Sequence, residues 1–205
     1  MKHTILAIVV SGAAALATAR AETQTFDFKD PKGVNNAVFK LDAPLEAING
    51  TANGISGTVT YDPENPATLS GKIVVEAKTL TVPNPMMNGH LHGNQWLDVA
   101  KFPEITFEAV KAANVKRDGT SASAEVTGKM TIHGVTRELT IPVKLNYLKG
   151  KLGDRVPNQQ GDLLVMRAHF TIKRSDFDIN PGAPADKVAN EIELTLSLAG
   201  AAPKP

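Results

Sequence analysis

Residues 128–143 read GKMTIHGVTRELTIPV. Met130 and Ile132 alternate with Lys129, Thr131 and His133; beyond a reversal, Leu139, Ile141 and Val143 alternate with Glu138, Thr140 and Pro142. A period of two places the apolar residues of each arm on one face, the pattern of a half-buried strand. Gly134 lies between the arms and, having no Cβ, can take the positive φ of a tight reversal. The stretch therefore predicts a β-hairpin with Met130, Ile132, Leu139 and Ile141 facing a core and Thr131, His133, Glu138 and Thr140 facing out. A lone hairpin is not stable in water, so other strands must cover its apolar face.

Working outward, the same alternation recurs in short runs bounded by turn residues, the signal of an all-β sandwich or barrel. Thr25 to Lys29 carries Phe26 and Phe28 on one face, and Ala37 to Leu41 carries Phe39 and Leu41. Asn49-Gly50-Thr51 matches a glycosylation sequon, but Asn-Gly is the commonest tight-turn pair, so a turn or bulge is expected there. Ile55 to Tyr61 ends at a Pro63/Pro66 turn, and Lys72 to Leu80 resumes extended structure. Ile105 to Val115, the hairpin arms, Leu163 to Ile172 and Glu191 to Leu198 bring the expected strands to eight or nine. Met86 to Ala100 (MMNGHLHGNQWLDVA) breaks the pattern, with Met87, Leu91, Trp96 and Val99 at irregular spacing that suits a glycine-interrupted helix or an ordered loop.

Residues 1–21 have the layout of a secretory signal peptide: a basic end at Lys2 and His3, an apolar run from Ile5 to Ala17, and small residues flanking Arg20. The run is too short to span a bilayer comfortably. Losing a segment that holds Lys2 and Arg20 leaves 20 basic against 21 acidic residues. That balance offers nothing to hold nucleic acid or an anionic bilayer by net charge. Residues 22–198 suit one domain, and the small-residue stretch 199–205 is expected to be a disordered tail. With no cysteine, the chain must hold together by packing and strand pairing and offers no thiolate nucleophile or soft metal site.

Several stretches, ISGTVTYDPENP (55–66), HLHGNQWLDVAKFPEITFEA (90–109), GKMTIHGVTRELTIPV and FTIKRSDFDI (170–179), resemble the YceI-like family in sequence and in order. The resemblance runs from about Thr25 to Leu198. It implies an antiparallel eight-stranded lipocalin-like barrel with one short helical insert, exported to the periplasm, that binds an isoprenoid or related amphiphile. It implies no catalytic residue and no cofactor. The insert departs from the family pattern, with Met87-Asn88 where members usually carry an Arg-Asp pair before the His-Leu.

The residues support a cavity independently. A barrel of about eight strands is just wide enough to be filled by side chains or to hold one small ligand. The chain has only ten aromatic residues, and its inward candidates are mostly Val, Ile, Leu, Thr and Ala. A solid core acting as a protein-interaction module stays open beside the hollow barrel at this point. On the hollow reading the lining set is Phe39, Met86, Met87, Leu91, Trp96, Phe107, Met130, Ile132, Leu139, Ile141, Phe170 and Arg174, with the methionines as adaptable apolar lining. For Arg174, as for Arg137, a salt bridge competes with a ligand-headgroup role.

Other chemistry is poorly supported. His90 and His92 lack a third ligand for a metal set, and Asp176-x-Asp178-x-Asn180 has Pro181 where a calcium loop needs glycine and Lys187 where it needs glutamate. No G-x-S-x-G elbow, P-loop or dinucleotide fingerprint is present; a hydrolase built from spatially assembled Ser and His is the residual enzymatic alternative. Expected partners are thus a long-chain lipid-like molecule, with no nucleic acid and no stable membrane insertion, and the pattern is compatible with a homodimer. Cleavage after Ala21 predicts an exported protein whose intact mass starts at Glu22, and an exported chain that keeps Met1 would contradict the leader.

Overall fold

A computed structural model describes residues 23–204; the leader expected at 1–21 lies outside them. The strands are β1 (Gln24–Asp27), β2 (Asn36–Asp42), β3 (Ala47–Ala52), β4 (Ile55–Tyr61), β5 (Ser70–Glu76), β6 (Glu104–Asp118), β7 (Ser121–Ile132), β8 (Val135–Leu148), β9 (Gly161–Lys173) and β10 (Glu191–Pro203). Two short helices, α1 (Pro85–His92) and α2 (Leu152–Arg155), sit between β5 and β6 and between β8 and β9. All pairings are antiparallel, and contact of β1 with both β4 and β10 closes the sheet.

Ten strands make eight staves. Along one edge of β10, β2 pairs with residues 193–197 and β1 meets Ala201; β4 and β3 pair with β1 and β2 in turn. Between β1 and β2 the chain leaves the ladder, and the buried side chain of Asn35 takes its place. Its Nδ2 donates to the Ala199 and Phe28 carbonyls at 3.1 and 3.0 Å, and its Oδ1 accepts from the Ala199 N–H at 2.8 Å. A primary amide has the donor and acceptor of a peptide group, so the edge of β10 stays satisfied through the break.

The β7–β8 hairpin forms with the expected parity. Met130, Ile132 and Ile141 are buried, Leu139 is half-buried against the core, and Glu138 and Thr140 are exposed. His133 and Gly134 form the turn, with φ of 51° and 75°, the paired positive values of a type I′ reversal. His133 is therefore a turn residue rather than an outward strand residue, and its ring packs edge-on against Phe102 at 4.8 Å.

Pro142 shapes the other side of β8. Hydrogen-bonded and non-bonded pairs alternate down a two-residue hairpin, so the Glu125–Pro142 pair directs its backbone groups away from β7. The missing N–H of Pro142 therefore faces β9, where the next bond would be made. The β8–β9 ladder stops at Val143–Ala168, and the upper halves of the two strands part. Phe177, in the turn after β9, is fully buried in this region with Met130, Ile132 and Ile179.

Three expectations need correction. Asn49-Gly50 is not a turn but lies within β3, opposite Phe39. The strand expected to reach Leu80 ends at Glu76 in a 3-10 turn over Ala77–Thr79. The small residues from Ala199 are no disordered tail: β10 runs on to Pro203, paired with β9 down to Gly161. Lys204 donates from its backbone to Gln160 O at 2.9 Å, and its ammonium lies 2.9 Å from Asp162. Small residues pack here because the partner strand and a buried carboxylate supply what their side chains lack.

The lower end of the barrel is solid, with Phe26, Phe28, Tyr61, Leu145 and Leu164 almost fully buried. Phenylalanine rings also lie flat along the wall, one at the floor and two higher up. A Cβ added to Gly50 would come within 2.1 Å of the Phe39 ring, one on Gly128 within 2.5 Å of Phe107, and one on Gly200 within 2.6 Å of Phe28. A glycine in a strand weakens it by entropy but lets a neighbouring ring fold flat over the backbone.

Two predictions follow from these contacts. Asp162 accepts from Tyr147 Oη at 2.6 Å and Gly150 N at 2.8 Å. Burial pushes its carboxyl up, but the bonds from Tyr147, Gly150 and Lys204 prevail and hold the pKa at about 2. A depressed carboxyl stabilises the fold above its unfolded pKa near 3.8, and the contribution is lost as pH falls through about 2. Asp162→Asn should cost about 1–3 kcal/mol at neutral pH and flatten the acid limb of urea midpoint against pH; an unchanged profile would contradict the assignment. Gly128→Ala should drive the Phe107 ring off the wall and cost about 1–3 kcal/mol by overpacking, and a variant as stable as its parent in urea would refute the ring-over-glycine packing.

Candidate functional site

Above the solid floor the barrel encloses a cavity of about 440 Å³, within the range of roughly 300–1,000 Å³ common for small-molecule sites. Its waist is set by small inward residues, among them Ala37, Ala52, Gly71, Ala109 and Ala168. Aliphatic side chains from every stave complete the wall, including Val59, Ile73, Val126, Val143, Leu194 and Leu196.

Of the residues expected to line it, Phe39, Met87, Leu91, Trp96, Phe107, Met130, Ile132, Ile141, Phe170 and Arg174 do so. Met86 does not. Helix α1 places Met87 and Leu91 on one face at i, i+4, and the preceding position turns outward, leaving Met86 78% exposed. Leu139 lies outside the lining because the half of β8 that carries it leans away from β9; it packs against the core instead.

The mouth of the cavity is built by the segments that interrupt the strands. Pro85 and the Asn84 side chain, which accepts from Met86 N at 3.0 Å, start α1. Asn88 then pins the helix to Val82, accepting from its N–H at 2.7 Å and donating to its carbonyl at 3.1 Å. His92 is engaged with the Leu80 carbonyl at 2.7 Å, while His90 turns to the cavity. The helix is held by amide contacts to one neighbouring loop rather than by a buried face of its own.

The three most distinctive sequence stretches meet here. Phe102, at the end of the insert, packs on His133 and Gly134 of the hairpin turn. Arg174 lies over the ring of Trp96 at 5.7 Å, and Phe177 packs with Met130 and Ile132. Arg174 is buried, and no carboxylate pairs with it among the described residues. The expected salt bridge is replaced by four carbonyls: Ile179 at 2.6 Å, Asn180, Val188 at 3.3 Å and Ala189 at 3.2 Å. Burial pulls its pKa down from the ordinary value, yet a guanidinium stays charged in proteins. It ties the 174–190 loop together and offers the cavity a positive field rather than free donors.

Sequence reasoning missed the polar rim, Glu46 and His90, and the wall residue Arg167. It also missed the glycines and alanines that make the space. The signal was available for Gly50 and Gly128, since a glycine inside an alternating run marks close approach of another group. No serine lines the cavity, and the chain has no cysteine. Among the described residues no three His, Asp or Glu side chains are grouped to hold a metal ion.

A family model described as a YceI-like domain matches residues 12–199. A UPF0312 protein of Yersinia pestis is 33% identical over 154 residues, 75% of this chain and 73% of the relative. Protein YceI of Salmonella arizonae is 30% identical over the same shares. Among solved structures, BcnA of Burkholderia cenocepacia has a TM-score of 0.65 at 23% identity, covering 80% of this chain and 95% of that one. A polyisoprenoid binding domain from Saccharophagus degradans has a TM-score of 0.62 at 11% identity, covering 89% and 100%. The two structural likenesses extend to the fold, and the sequence matches carry the family. This chain belongs to the YceI-like family.

Proposed function

We propose that the protein is a periplasmic carrier that sequesters one long apolar chain of the isoprenoid class in its barrel and does not transform it. The observation that carries this reading is the cavity, whose lining is aliphatic, aromatic or thioether except for a few polar groups such as Glu46, His90, Arg167 and Arg174. Water in such a space has few partners, whereas a hydrocarbon chain gains about 0.8 kcal/mol per buried CH₂. Three or four isoprene units can therefore outweigh an association cost of roughly 4–15 kcal/mol without any polar lock. The ligand class is suggested by the polyisoprenoid binding domain of Saccharophagus degradans, which shares the fold.

A solid-core interaction module fits the hollow wall poorly, and a hydrolase would need a nucleophile in a lining that has no serine. The periplasmic location rests on the leader at residues 1–21.

Trp96 is half-buried at the mouth and lines the cavity, so its fluorescence should change saturably on titration with geranylgeraniol. Leu91→Asp should lose that response while the far-UV circular dichroism of the barrel is kept, because a carboxylate at the mouth penalises apolar burial. A Trp96 signal that ignores every long-chain alcohol, with protein purifying bare, would overturn the carrier reading.

A further inference from the structure

Among the described residues, the two large apolar side chains with the greatest exposure, Met86 at 78% and Leu45 at 64%, stand at the cavity mouth. Each adjoins a residue of the lining, since Leu45 precedes Glu46 and Met86 precedes Met87. Leu45 sits in the turn between β2 and β3, which the bond from Ala43 N to Glu46 O closes at 3.0 Å, and Met86 sits in the first turn of α1. Both segments rest on one cluster, in which Phe39 and Leu41 of β2 and Ile48 of β3 pack with Val82 and Met87.

An exposed leucine or methionine is by itself ordinary, but the surroundings of these two are suited to leaving water. The N–H of Leu45 donates to the Asp186 carbonyl at 2.8 Å and that of Met86 to the Asn84 side chain at 3.0 Å. The exposed prolines of the neighbouring loops, Pro44, Pro83, Pro85, Pro181 and Pro184, have no N–H at all. Dehydrating the two tips therefore leaves their own donors paired. Charge does not direct them to an anionic surface: on the segments that frame them, 40–46, 83–92 and 181–188, Lys40 and Lys187 stand against Asp42, Glu46 and Asp186. Two tips on separate loops fall far short of the roughly 800 Å² per partner of a specific protein interface. A fluid headgroup layer, by contrast, closes around each tip separately.

We propose that the cavity mouth docks on an uncharged, zwitterionic lipid bilayer, with Leu45 and Met86 dipping into the headgroup layer, so that the cargo passes between bilayer and lumen without crossing water. This rests on the carrier reading and adds to it the surface on which cargo is exchanged. A chain that enters the barrel because it leaves water is held in a bilayer for the same reason, and a mouth pressed against the bilayer removes the aqueous step. Two apolar tips give a marginal, reversible contact, which lets the carrier leave again.

The test loads the protein with geranylgeraniol, mixes it with increasing amounts of phosphatidylcholine vesicles, and follows release by the fluorescence of Trp96, which lines the cavity. Exchange by docking predicts a rate that rises with vesicle concentration; a rate that is the same at every concentration reports escape through water and overturns the inference. A Leu45→Ser/Met86→Ser variant should exchange about tenfold or more slowly, while its affinity for geranylgeraniol stays within about twofold, which also shows that it is folded. A variant as fast as its parent overturns the two tips as the docking contact. Leu45→Trp should be at least as fast as the parent, because an amphipathic ring settles at headgroup level. Phosphatidylglycerol added to the vesicles should leave the parent's rate within about twofold, and a rate that depends on anionic lipid overturns docking by apolar tips. A parent that sediments as a dimer and a double-serine variant that sediments as a monomer would assign the tips to a second copy and overturn the bilayer as their partner. Protein that takes up no geranylgeraniol overturns the carrier reading and this inference with it, whereas uptake followed by vesicle-independent release overturns this inference alone.

Discussion

A closed barrel of eight staves has room along its axis for about one layer of side chains, so what occupies the inward positions decides whether it is solid or hollow. Here the inward positions change character along the axis. Near the floor they carry Phe26, Phe28, Tyr61 and Leu145, which close the end. Higher up they carry alanine and glycine, with Phe39 and Phe107 laid over Gly50 and Gly128. Rings that would otherwise fill the axis become wall. The strands lose some backbone entropy at each glycine, and the molecule gains an apolar lumen.

Keeping a lumen open requires the shell to be closed by other means, since no filled core supports it from within. Polar side chains do this at the places where the ladder fails. The amide of Asn35 bridges the break between β1 and β2. Asp162 gathers Tyr147, Gly150 and Lys204 at the floor, and Arg174 gathers four carbonyls at the mouth. Each is a buried polar group whose partners are satisfied, the condition under which such groups rigidify a structure instead of weakening it. The β8–β9 ladder ends at Val143–Ala168, and above that level Phe177 packs with Met130 and Ile132.

Alternation alone made the strands legible, because the hairpin at 128–143 and the run at 191–198 each bury one face. It also yielded most of the lining, since inward parity places Met130, Ile132, Ile141 and Phe170 without any knowledge of the partner strand. What stayed hidden depended on partners. Met86 and Met87 are chemically alike, and only the placement of α1 decides which one turns inward. Gly50 read as a turn residue because its reason for being glycine, the ring of Phe39, lies on another strand. The ordering of residues 199–204 depends on Asp162 and β9, which a local reading of small residues cannot see.

The central claim is that the lumen holds a long apolar chain, and native mass spectrometry of the protein purified without detergent tests it most directly. The account predicts a population carrying one non-covalent adduct per chain, with a mass in the isoprenoid series, that is lost on organic extraction. Protein that flies only at its bare polypeptide mass in every such preparation, and that acquires no adduct when long-chain isoprenoids are supplied, would contradict it.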